Sequence, residues 1–161
     1  MLLKEKDNLM FYLSEQLNPF EINDLFQLWN SVYPMQLAYK ELDGIREYLT
    51  ALHHKKHILV KTPTNKVIGW FFSFERDGER WFAILINNEY KRKGLGSDLI
   101  KLAKKQFAPL NGWVIDHERY YRLDGEKYAS PLAFYLRHGF RIATDVRLEI
   151  PTLSAVKIHY P

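Results

Sequence analysis

No cysteine occurs in the 161 residues, which excludes a disulfide scaffold, a zinc–thiolate centre and a catalytic thiol together. Any sulfur chemistry must be brought by a bound cofactor. Long apolar runs are missing as well. The opening MLLKEKDNLMFYL carries charges within its first six residues and has no apolar segment followed by a small-residue cleavage site. Neither a signal peptide nor a transmembrane helix is expected, and the expected location is the cytoplasm. No repeat, low-complexity tract or linker interrupts the chain, so residues 1–161 read as one domain. Charge is only mildly unbalanced: the net +4 suits an anionic ligand, and ordinary solubility equally. What is plentiful is core material. At 47% hydrophobic and 15% aromatic residues, a chain of this length can bury about two-thirds of its unfolded surface.

The hydrophobic period changes along the chain. Residues 8–16 (NLMFYLSEQ) read as a strand. Asn18-Pro19 then opens a helix that ends before Pro34, with Asn18 as N-cap and Pro19 in the first turn. Leu42, Ile45, Leu49 and Leu52 predict a second helix over 42–56. From His57 the period is two: strands over 57–61, 66–75 and 79–86, the last two joined by the hairpin turn Asp77-Gly78. Helical spacing returns over 95–107, followed by a short buried strand at 112–116 and a helix near 130–138 capped by Gly139. Strands at about 140–150 and 154–160 complete the order βααβββαβαββ. That pattern predicts an α/β (α+β) fold with a mixed, mostly antiparallel sheet and one βαβ crossover.

The segment ILINNEYKRKGLGSDLIKL passes from strand through a glycine turn into a helix. A helix start leaves backbone N–H groups unpaired and points the positive end of its dipole at the same spot, and glycines let an anion approach closely. Lys91, Arg92 and Lys93 add charge, and Ser97 a hydroxyl. A P-loop would need its lysine after the second glycine, whereas here Lys93 precedes Gly94. A dinucleotide fingerprint would need glycine where Leu99 stands. The turn Tyr90-Lys91-Arg92-Lys93-Gly94-Leu95-Gly96-Ser97 instead resembles the pyrophosphate-binding signature of GNAT-type N-acetyltransferases, with Lys91 at a position usually held by Gln or Arg. Downstream, Phe134-Tyr135-Leu136-Arg137-His138-Gly139-Phe140 resembles the second signature of that family, where a helix packs beside the pantetheine arm. Tyr128 stands where the family often has asparagine.

The resemblance implies helices on both faces of a GNAT-like sheet. It also implies acetyl-CoA as cosubstrate, no metal, and transfer of an acetyl group to a primary amine of a small molecule or peptide by direct attack in a ternary complex. Cofactor contacts fall on Lys91, Arg92, Lys93, Gly94, Leu95, Gly96 and Ser97. They fall also on the backbone of Leu85, Ile86 and Asn87, where Asn87-Asn88 either forms a strand bulge or simply ends the strand, and on Tyr135, whose hydroxyl the resemblance places near the cofactor sulfur as general acid. For the base, Glu75 on a central strand and Asp116 at a strand end are candidates, with His117 and Glu118 beside the latter; each also reads as an ordinary surface or turn residue. The stretch His117–Ala129, rich in tyrosine, is long for a strand-to-helix connection and is a candidate wall or lid for the acceptor, with the helices 19–33 and 42–56 as the opposite wall. A non-catalytic CoA-binding or nucleic-acid-binding module is the competing reading, although three basic residues without a stacking pattern are few for a nucleic acid. No nucleic-acid or membrane partner is expected, and the state is monomer or homodimer.

Overall fold

The computed structural model describes residues 1–161. Its strands are β1 (Leu2–Lys6), β2 (Leu9–Ser14), β3 (His53–Lys61), β4 (Val67–Arg76), β5 (Glu79–Ile86), β6 (Leu110–Val114), β7 (Arg141–Ile150) and β8 (Leu153–Tyr160). The helices are α1 (Pro19–Val32), α2 (Leu42–Ala51), α3 (Leu95–Phe107) and α4 (Leu132–Arg137), with 3₁₀ turns at Met35–Leu37 and Asn88–Tyr90. All eight strands form one sheet in the order β1-β2-β3-β4-β5-β6-β8-β7, antiparallel except where β5 meets β6. No helix is long and apolar enough to cross a membrane.

Local chemistry accounts for the joints. Asn18 and Glu21 form a reciprocal capping box at α1, each side chain accepting the other's backbone N–H at 2.8 Å. Asp77 and Gly78 turn the β4–β5 hairpin with φ of 52° and 75°, the left-handed pair that suits a two-residue loop. Alternation along β4 then divides the core. Trp70, Phe72 and Phe74 pack beneath α1 and α2 with Leu25, Trp29, Ile45 and Leu49. Phe71 faces α3 and α4 with Phe82, Leu99, Ile100 and Tyr135, and Ile68 joins it because the β3–β4 register slips between Gly69 and Val67.

Two expectations need correction. The first strand read from sequence is the second of a hairpin, because Asp7 and Asn8 reverse the chain in left-handed conformations and LLKEK pairs back on β2. The order is therefore ββααβββαβαββ. Helix α2 stops at Ala51 rather than at 56, since Leu52 is already extended and 53–56 joins β3, with His54 at positive φ interrupting the register. Of the two readings left open for Asn87-Asn88, the strand end holds: β4 and β5 stay in register through Gly69↔Ile86, and the Asn87 side chain caps the 3₁₀ turn.

Candidate active site

Strands β5 and β6 touch at one register pair, Trp81↔Asn111, and separate beyond it. The buried Asn111 amide holds that base together, donating to Arg80 O at 3.2 Å while its oxygen lies 2.9 Å from His159 Nδ1. Above this clamp β5 has no strand on its outer side. The Asn87 N–H bonds Ile68 O at 2.8 Å, which makes Gly69↔Ile86 a pair without mutual hydrogen bonds. By alternation the backbone groups of Ile84 and Ile86 point into the gap, whereas the N–H groups of Leu85 and Asn87 belong to the β4 ladder.

A cavity of about 910 Å³ occupies the gap and extends to both faces of the sheet. On one side it reaches Ile86, Lys91, Arg92, Gly94, Leu95, Gly96 and Ser97; Lys93 does not line it, and its ammonium lies over the Tyr90 ring at 5.2 Å. Arg92 and Gly94 are both left-handed, with φ of 66° and 78°. Gly94 caps α3 without a side-chain hydrogen bond, and helical bonding begins with Asp98 N–H to Gly94 O. The N–H groups of Leu95, Gly96 and Ser97 therefore project from the helix start without intrahelical acceptors. A Cβ on Gly96 would sit 3.2 Å from the Phe134 ring, so this turn and α4 are packed closely. Ser97 Oγ lies 3.0 Å from His138 Nε2, and His138 is held below its ordinary pKa by burial and then by the charges of Lys104, Lys101 and Arg137.

Sequence reasoning missed β1's part in this end. Lys4 and Lys6 reach across to Asp98 in the first turn of α3, at 3.0 and 2.8 Å. Burial opposes ionisation of that carboxyl, but its hydrogen bonds from Lys6 and Lys4 carry the pKa below the usual value. The spacing Lys4/Lys6, with both side chains on one face of a short strand, is the signal that could have shown it.

Tyr135 lines the middle of the cavity, with its ring edge-on to Phe82 at 5.6 Å and to Phe140 at 5.5 Å. Burial drives its pKa well up, with Tyr128 nearby adding to the shift. Tyr128, also lining the cavity, is pushed up to about 12 by burial. Residues 117–129 form an ordered flap: Tyr128 N–H bonds Tyr120 O at 2.9 Å, and Met35 N–H after α1 bonds Tyr121 O at 2.8 Å.

The candidate bases lie elsewhere. Glu75 is on the α3 side of β4, paired with Arg80 at 3.2 Å and away from the cavity. Asp116 is clasped by Arg147 at 2.8 and 3.1 Å, and those hydrogen bonds hold its carboxyl below the ordinary range, the wrong direction for a base. Neither His117 nor Glu118 lines the cavity. None of its 36 lining residues is Asp, Glu or His.

No protein-family model matches the chain, and no curated protein matches it. Solved structures do. An acyl-CoA N-acyltransferase from Pseudomonas aeruginosa is 17% identical with a TM-score of 0.65, the match covering 95% of this chain and 99% of that one. A GNAT superfamily phosphinothricin acetyltransferase from Sinorhizobium meliloti, in complex with AcCoA, is 11% identical at a TM-score of 0.66, covering 94% and 88%. A spermidine N-acetyltransferase from Vibrio cholerae, in complex with CoA and spermine, is 16% identical at 0.65, covering 96% of each chain. The chain has the fold of the GNAT acetyltransferases.

Proposed function

We propose that this chain is an N-acetyltransferase, acting in the cytoplasm on a primary amine with acetyl-CoA as donor, by direct attack while both substrates are bound. One observation carries the reading: a continuous cavity starts at the unpaired amides of α3, passes between β5 and β6, and opens on the opposite face of the sheet. Each end can take one substrate, and the gap between them is where they would meet. The neighbours named for spermidine and phosphinothricin support an amine acceptor.

The residues present fit the cosubstrate. The N–H groups of Leu95, Gly96 and Ser97, with the left-handed Gly94, form the donor set that a pyrophosphate needs, and Lys91 and Arg92 add charge. Backbone groups of Ile84 and Ile86 would bond the amides of the pantetheine arm. Acetyl-CoA supplies the activated acyl group. The chain's own part is to hold, orient and exchange protons. Of the two β5 N–H groups that point into the gap, that of Ile84, nearer Phe82 and Tyr135, would be the donor for a carbonyl oxygen that gains charge. Tyr135, a phenol protonated at neutral pH, would be the group in the gap with a proton for a departing thiolate, although burial raises its pKa and so weakens it as an acid. Deprotonation of the amine falls to water or to the amine's own acidity, since no carboxylate or imidazole lines the cavity.

Thiol release from acetyl-CoA, measured against a panel of primary amines beside a calorimetric titration of acetyl-CoA, tests the proposal. Saturable binding with amine-dependent release is expected. Failure to bind acetyl-CoA would overturn it.

A further inference from the structure

The end of the cavity away from the phosphate turn is built unlike a polyamine trap. Its walls are the rings of Trp29, Tyr33, Tyr39, Tyr48, Phe72 and Phe74. Trp29 is the hub, with ring centroids 4.7 Å from Tyr33, 5.4 Å from Tyr39 and 5.3 Å from Tyr48. Hydrogen bonds fix the connector: Trp29 Nε1 donates to Leu37 O at 2.8 Å, and the Asn30 amide bonds both backbone groups of Tyr39 at 2.8 and 2.9 Å. These rings are set in place before a ligand arrives. The floor on β5 is Ala83, a small side chain in a row of large ones, and it leaves room above the gap.

The only charged side chain at this end is Arg76. Its guanidinium lies over the Phe74 ring at 4.9 Å and joins none of the molecule's ion pairs, whereas Arg80, Arg122 and Arg147 are each paired with carboxylates. It stands near enough to Tyr48 to act on that phenol's ionisation. A polyamine entering here would meet aromatic walls and a cation, with no carboxylate to compensate its second charge. An amine on an aromatic body meets complementary surface, and an anion at its far end meets a planar two-donor fork.

Strand register sets the length. Tyr135 contacts Phe82 at the reacting end, and Ala83 lies opposite Phe72. Phe74, under the guanidinium, is two residues further, about 7 Å at a strand rise of ~3.3 Å per residue.

We propose that the acceptor is an aromatic-bodied primary amine with a carboxylate at the far end, held by stacking against the Trp29 cluster and by Arg76. This assignment rests on the acetyltransferase reading above. Probes that isolate its parts are 4-(2-aminoethyl)benzoate, which has both groups at this spacing, 2-phenylethylamine, which lacks the carboxylate, and spermidine. Acetyl-CoA binding by calorimetry and thiol release are read for the parent, Arg76→Met and Ala83→Leu. The parent is expected to favour 4-(2-aminoethyl)benzoate over 2-phenylethylamine by about tenfold or more in kcat/KM, and over spermidine by a wider margin. In Arg76→Met the ratio of the first two should fall toward one. Ala83→Leu should lose turnover of both aromatic amines while retaining acetyl-CoA affinity. Preference for spermidine, no turnover of either aromatic amine, or an unchanged ratio in Arg76→Met would overturn the assignment while acetyl-CoA still binds. Loss of acetyl-CoA binding in the parent would instead remove the reading on which it rests.

Discussion

The two ends of the cavity are made in opposite ways. The phosphate end is a contiguous run, Lys91–Ser97, whose donors are backbone groups and whose shape depends on a left-handed Gly94. The aromatic end is assembled from α1, the segment after it, α2 and β4, using side chains alone. A site made of backbone tolerates side-chain change unless a side chain intrudes. A site made of side chains changes its ligand with each substitution. On the proposed reading, the donor end is specified by local geometry, and the acceptor end by whichever rings the sheet and helices bring together.

The largest effect should come from intrusion at the backbone end. Gly94→Glu places a side chain on a φ of +78° beside Lys6 Nζ, which lies 3.2 Å from where a Cβ would sit, and puts negative charge at the helix start. Acetyl-CoA affinity should fall about 100-fold or more by calorimetry, about 2.7 kcal/mol. Gly96→Ala is milder, because only the Phe134 ring must yield. Tyr135→Phe keeps the ring between the two ends and removes the hydroxyl. Turnover should fall about tenfold while acetyl-CoA affinity holds, and the parent's rate should show no tyrosine-dependent loss below about pH 10. Shortening the flap 117–129, tied to the aromatic end through Met35 and Tyr121, should raise the acceptor KM and spare acetyl-CoA binding.

Acid separates the two faces by pH window. Under the aromatic face the buried His57 accepts from Trp70 Nε1 at 3.0 Å, and burial lowers its pKa to about 4. Unfolding therefore takes up a proton between the unfolded value of about 6.5 and about 4, so stability is present above that window and is lost as pH falls through it, by about 3 kcal/mol. His57→Gln should flatten this slope in urea melts across pH. On the phosphate face the depressed Asp98 carboxyl contributes above its unfolded pKa of about 3.9, and its contribution is lost as pH drops further. Asp98→Asn should cost about 1 kcal/mol at neutral pH, limited because both lysines are partly exposed, and the difference should close in acid.

What could be read from the chain follows the same division. The turn, α3 and the Phe134–Phe140 segment were legible because they are contiguous and their glycines have one backbone use each. The Asp77-Gly78 hairpin and the Asn18 cap were legible for the same reason. Strand β1 was not, since LLKEK carries more charges than apolar residues and holds through pairing and through Asp98, a residue more than ninety positions away. Nor was the end of α2, where Leu52 continues the helical spacing although the polar run 53–56 leaves for the sheet. Glu75 and Asp116 looked like bases because sequence shows their positions on strands and not the arginines that hold them. The aromatic end, drawn from residues 29 to 83, was legible only as two helices facing the 117–129 stretch; its individual rings come from separate elements and carry no contiguous signal.

The central claim is that the two ends take different substrates, and amide hydrogen exchange with and without acetyl-CoA tests it most directly. Acetyl-CoA should protect Leu95–Ser97 and the amides of Ile84 and Ile86, and leave α2 and the segment around Tyr39 as they were. Protection confined to the aromatic end, or a phosphate turn that exchanges equally with and without acetyl-CoA, would contradict the account.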